Sequence, residues 1–282
     1  MCRAELRDLS RNRPLRDDVL WPQWTQMYQL LILDVADLSS LIQGLERPFR
    51  PEPAYSLLLE LLKALNPDAT SIRAHLVFSS RAAPAPYTVP HRAREIVSVV
   101  WLPSRSFARS PLSGLLAHEA AHSVELLPHD GPQVGLPAGQ TTETLADSFG
   151  AALLGPGFAW AVSAYLGQLK SDRQPAGEYS ANHPSWPIRV ACLKGIAGEL
   201  WESALIKDWY LSHIEAASKS AGQLSSDNQS RSLELRQAVK HNIGRLRKVS
   251  VDERGLIDIR QGKRDKRARY SQVLAFNLDC PY

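Results

Sequence analysis

The residues best suited to chemistry are His118, Glu119 and His122, in the run His118-Glu119-Ala120-Ala121-His122. Two residues four apart on a helix differ by only about 40° around its axis and rise about 6 Å along it. Both imidazoles can therefore reach one Zn2+ ion from one face. Glu119 follows the first histidine and lies at the edge of that face. It can reach an attacking water without being a ligand, take its proton, and pass that proton to a leaving amine. Leu115, Leu116, Ala120 and Ala121 mark the helix as buried. Two imidazoles and a carboxylate on a buried helix need a compensating partner, and a metal ion supplies one.

A catalytic zinc takes three protein ligands and keeps one position open. The third ligand should come from another element. Glu143 lies 21 residues after His122, at the start of the next expected helix, with Asp147 one turn later on the same face. Glu143 is read as the third ligand. Asp147 is read as the carboxylate that accepts the distal N–H of a ligating histidine and fixes its tautomer. The plainer reading of the pair is an acidic first turn that complements a helix dipole. Glu125 and His129 are rival ligands. Glu125 follows His122 by three residues on the same helix, so it points away from a site built by His118 and His122. The longer HExxHxxGxxH pattern is absent, because position 125 is Glu and position 128 is Pro.

A third patch is His183-Pro184-Ser185-Trp186-Pro187-Ile188-Arg189. A histidine before proline is held extended, and His183 could donate to the oxyanion of a tetrahedral intermediate. Arg189 could pair with a carboxylate or assist the same oxyanion. Residue chemistry alone favours a proline-rich helix start with an incidental histidine. Trp101 or Trp186 could line a side-chain pocket, although Trp101 is more simply a core aromatic.

HExxH followed by a helix that begins ExxAD resembles the gluzincin class of zinc metallopeptidases. HEAAH, ETLAD and HPSWPIR together look like the HtpX/CAAX-prenyl-protease branch. That resemblance implies two histidine ligands (His118, His122), a glutamate ligand (Glu143), a supporting Asp147, and His183 and Arg189 near the site. The short gap and the run ETLADSFGAALLGP look instead like the ImmA/IrrE branch of soluble regulatory proteases, which act on a repressor. The resemblance covers about residues 96–193. The membrane helices and longer gap of the first branch are not found in this sequence, nor is the helix-turn-helix domain of some members of the second.

These residues need elements to position them. A broad apolar face predicts a helix over 24–45, and a second helix is expected over 54–65, before Pro67. Alternation at Ile72, Ala74, Leu76 and Phe78 predicts a strand, and Ile96–Leu102 is a β-branched run of strand length. That second strand precedes the HExxH helix, and its edge is expected to pair with an extended substrate backbone. Residues 81–90 read as an Ala/Pro-rich loop. Ser110 and Pro111 suit a helix start, and the HExxH helix should run towards Leu126. A Gly/Pro-rich loop over 129–140 leads to a helix over 143–154, capped by Thr142. Helices over 158–169 and 187–207 follow, then a linker-like tract over 223–230, a basic helix over 233–248, and a hairpin or strand around 249–259. The expected fold class is α+β, mostly helical, with a zincin-like core whose small sheet packs on the HExxH helix. The expected domains are an N-terminal helical region 1–70, a metallopeptidase core 71–204 and a basic helical extension 205–282.

Composition sets the outer limits. The chain has 282 residues, 44% hydrophobic and 22% charged, which excludes a collagen, a coiled-coil rod and a wholly disordered chain. The net charge of +4 is uneven. Residues 231–269 carry 13 Lys/Arg against 5 Asp/Glu, and the remainder carries 20 against 24. Such a basic stretch can meet an acidic partner or nucleic acid, or can be a solvated helix face. Cys2, Cys192 and Cys280 are few and far apart, which points to a reducing, cytoplasmic compartment and not to a disulfide framework. Neither a secretory signal nor a membrane-inserting stretch is read. The expected function is a Zn2+-dependent metalloendopeptidase acting on a protein or peptide substrate, with a regulatory role as one option. The alternative is a zinc-containing interaction or regulatory protein with a degenerate site and a basic partner-binding C-terminus.

Overall fold

A computed structural model describes residues 53–78, 87–91, 95–102, 111–124, 138–171 and 183–260, all in the compact unit that begins at Phe49. The described fold is mostly helical, with one small sheet. The helix expected over 24–45 and the basic run 263–269 lie outside the described residues.

Helix α1 (Pro53–Leu65) places Leu57, Leu58, Leu61, Leu62 and Leu65 on one buried stripe, the i, i+3, i+4 spacing of a core-facing helix. Strands β1 (Ser71–Phe78), β2 (Tyr87–His91) and β3 (Glu95–Leu102) form a sheet in the order β1-β3-β2. β1 runs parallel to β3, with Ser71 opposite Glu95, and β2 runs antiparallel to it, with Tyr87 opposite Val99. Ala74, Leu76, Ser98 and Val100 are buried, at alternate positions of their strands as the pleat requires.

Two expectations change here. Residues 87–91 are a strand and not a loop, and Pro90, opposite Ile96, is tolerated because β2 is an edge strand. β3 is the central strand, flanked on one side by β1 and on the other by β2 along 95–99. It therefore does not offer a free edge there to an extended substrate. The sheet's main helical neighbour is α1, which in turn packs on the HExxH helix.

A short 3-10 turn (Pro111–Leu115) leads into α2 (Leu116–Ala121), which carries His118 and Glu119 and has His122 as its C-cap, so it ends short of the expected Leu126. Asn66 braces the far end of this element: its Nδ2 donates to Ser123 Oγ at 3.0 Å and to Leu62 O at 3.0 Å. Helix α3 (Ala138–Leu154) starts five residues before the expected Glu143. Thr142, expected as its cap, therefore lies inside it, and the hydroxyls of Thr144 and Ser148 bond back to the carbonyls of Gln140 and Thr144 within the helix. Leu145, Ala146, Phe149, Ala152 and Leu153 are buried, and so are Gln140, Glu143, Thr144, Asp147 and Ser148. A helix buried on its polar side as well must have something for that side to bind. Gly155, at φ 54°, ends α3, and its N–H bonds to Ala151 O. A side chain there would be strained in the left-handed region.

Helix α4 (Pro156–Ser171) packs on α6 (Ala204–Ala221) and on the 3-10 turn. Helix α5 (Trp186–Leu200) stops at Trp201, so the single helix expected over 187–207 is two. Glu253 creates the break: its carboxylate accepts from the backbone N–H groups of Glu202 and Ser203 at 2.8 and 2.7 Å, and Ser203 caps α6 by accepting from Ile206 N–H. Helices α7 (Ser226–His241), α8 (Ile243–Val249) and α9 (Glu253–Arg260) follow. The linker-like tract over 223–230 is thus helical from Ser226, with Ser225 as its cap. The hairpin or strand around 249–259 is instead mainly α9, with Leu256 buried. One hydrophobic core runs from Ala54 to Leu256. Among the described residues, no helix is long and apolar enough to cross a membrane.

Candidate metal centre

α2 and α3 pack closely and face each other through their polar residues. α2 contributes His118 and His122, one turn apart, and α3 contributes Glu143. One ligand atom from each of the three lies within 4.8 Å of the others, a group that could hold a metal ion. His118 Nε2 is 3.1 Å from His122 Nε2 and 3.3 Å from Glu143 Oε2, while His122 Nε2 is 3.6 Å from Glu143 Oε1. Two imidazole nitrogens and a carboxylate oxygen turned towards one point make a donor set that suits zinc.

Behind this group stands a second layer. Asp147, one turn after Glu143, takes the Nδ1–H of His118 on Oδ1 at 2.8 Å. Arg189, from α5, donates to the same carboxylate through Nε and Nη2, both at 2.7 Å. This is a fork-to-fork ion pair, with Asp147 and Arg189 both buried. The guanidinium carbon of Arg189 lies over the ring of Trp186, 4.0 Å from its centroid. His183 is exposed, yet its Nε2 comes within 3.4 Å of Glu143 Oε1, at the open rim of the group. All the residues singled out around the motif, His118, Glu119, His122, Glu143, Asp147, His183 and Arg189, therefore come together. The rivals Glu125 and His129 lie outside the described residues.

Electrostatics reflect this crowding. Burial alone would lower the His118 pKa, but hydrogen bonds to Asp147 and Glu143 overcome it and raise it to about 10. Burial, then the neighbouring His118 charge, lowers His122 to about 4. The two shifts run in opposite directions, as for coupled imidazoles that do not both carry a positive charge. Burial pushes Glu143 up, but the hydrogen bond from His118 and the charges of His118 and Arg189 outweigh it and hold its carboxyl below the usual value. Burial also opposes ionisation of Asp147, and Arg189 with His118 keeps it well below the carboxylate range. Glu119 differs: burial raises it to about 7 against the pull of His118. Its Oε2 is buried, with no hydrogen-bond partner among the described residues.

Sequence reasoning missed Tyr165, on α4. Its ring lies 5.7 Å from that of Trp186, and its hydroxyl senses both Arg189 and Glu119. Nothing in the spacing of Tyr165 relative to the motif announces this. The Trp186–Arg189 stack had a signal in principle, an aromatic three residues before an arginine at a helix start. In the described part of the basic stretch, several cations serve internal contacts: Lys240 pairs with Glu199 at 3.0 Å, Arg247 donates to Glu199 O and Arg236 to Gly195 O.

Comparison with known proteins finds no matching family model, no similar curated protein and no similar solved structure.

Proposed function

We propose that this chain is a zinc-dependent metallopeptidase of gluzincin type that hydrolyses peptide bonds of a protein substrate. His118, His122 and Glu143 would hold the ion. When bound, zinc polarises the scissile carbonyl and makes water a better nucleophile near neutral pH. Three protein ligands leave a position open for this work, as a catalytic site requires.

The observation that carries the reading is the Glu119 carboxylate, buried beside the first ligand with one oxygen unpartnered. A structural metal site needs no such group. A carboxylate with its pKa lifted to about 7 is poised to accept a proton at neutral pH and to release it again. Glu119 takes the proton of the attacking water and delivers it to the leaving amine. His183, exposed at the rim, donates to the oxyanion of the tetrahedral intermediate. Asp147 holds His118 in the tautomer whose Nε2 is free for the metal, and Arg189 holds Asp147.

Metal analysis of the purified protein tests this. About one zinc per chain is expected, lost in His122→Ala. A protein without zinc after gentle purification contradicts the proposal. An interaction protein with a degenerate site, using its basic stretch to bind an acidic partner or nucleic acid, would keep the zinc but gain nothing from Glu119.

A further inference from the structure

The edge of the Arg189 guanidinium is occupied by Asp147, through two hydrogen bonds at 2.7 Å. Its Nη2 also lies 3.5 Å from His118 Nδ1 and 3.9 Å from Glu143 Oε2. So a single buried cation touches the group that orients His118 and borders a proposed ligand. Hydrogen bonds along one edge leave a planar guanidinium free to tilt about that edge. A contact from outside that edge would restrict the tilt.

The guanidinium carbon lies over the indole of Trp186, 4.0 Å from the ring centroid. Trp186 opens α5 and Arg189 stands three residues on, so both side chains leave the same side of the first turn. Tyr165, from α4, packs against Trp186 at 5.7 Å and 56°. An indole face attracts a guanidinium by its quadrupole, and more strongly where water is excluded. Arg189 is only 7% exposed, so the attraction acts here with little competition from water.

We propose that Trp186 is a positioning residue for the metal centre. Its ring holds the Arg189 guanidinium in the plane that clamps Asp147, and through Asp147 it sets the orientation of His118. This inference rests on the metal-site reading above, and its test separates the two.

The zinc dissociation constant is measured at neutral pH by competition with a chromogenic chelator. Wild type is compared with Trp186→Phe and Trp186→Leu, and folding is checked by circular dichroism. Phenylalanine keeps a π face, and leucine keeps only apolar bulk. The leucine variant should bind zinc about 3- to 30-fold more weakly, and the phenylalanine variant should stay within about 3-fold of wild type. If the leucine variant does not fold, Trp186→Met takes its place with the same expectation. Equal binding by all three proteins overturns the inference and leaves the metal site standing. Equal loss in both variants assigns the effect to volume and overturns it too. A wild type that binds no zinc overturns both readings.

Discussion

His118 gives its Nδ1–H to Asp147 at 2.8 Å, so its other nitrogen, Nε2, is the one turned towards His122 and Glu143. Once its extra proton is lost, this candidate ligand is thus kept in its Nδ1–H tautomer by a residue 29 positions away on a different helix. Asp147→Asn should weaken zinc binding by about 10- to 100-fold, measured by chelator competition. It should also destabilise the fold by roughly 3 kcal/mol, because Arg189 is left as a buried charge without its counter-charge. Denaturant unfolding of the metal-free protein reads that second effect.

Zinc must displace a proton. His118, raised to about 10 by its hydrogen bonds to Asp147 and Glu143, carries one proton beyond the neutral imidazole, while His122 is lowered to about 4. A raised pKa means that the proton is bound throughout the neutral range and is lost only as pH rises towards that value. Zinc affinity should therefore increase about tenfold per pH unit between about pH 7 and pH 9, the slope for one proton released per ion. Titrations across that range measure it. A flat profile would mean that His118 is not protonated in the metal-free site.

Glu253 predicts a purely structural effect. Its carboxylate accepts the backbone N–H groups of Glu202 and Ser203, closing the break between α5 and α6. Glu253→Ala should cost about 1 kcal/mol, as loss of a cap does, and should leave zinc affinity unchanged. Thermal unfolding of the two proteins, beside a zinc titration, makes the comparison.

Much of this was legible in the residues, and the reasons are local. Alternation at Ala74 and Leu76 and the β-branched run after Ile96 specify strands because side-chain direction has period two. HExxH specifies its own geometry because helical spacing brings His118 and His122 together. Glu143 and Asp147 were legible through the same i, i+4 rule. What was not legible depends on distant partners. No local signal says that β3 is flanked on both sides, since β1 and β2 decide that. The break at Trp201 depends on Glu253, 52 residues further on. The early start of α3 puts Thr142, a residue type that often caps, inside the helix, and nothing local to Thr142 announces that. The aromatic pair Tyr165–Trp186 is a tertiary contact between α4 and α5, with no period to reveal it.

Glu119 is the proton carrier of the proposed reaction, and its substitution by glutamine is close to isosteric. Glu119→Gln should keep one zinc per chain and a stable fold, because a buried carboxylate with an unpartnered oxygen is replaced by a neutral amide. Proton transfer should be lost, lowering hydrolysis by at least about 100-fold. The most direct measurement compares protein fragments in cells that carry either wild type or Glu119→Gln, both shown to be zinc-loaded. Fragments that appear with wild type and disappear with Glu119→Gln are the predicted result. Identical fragment patterns from the two zinc-loaded proteins would contradict it.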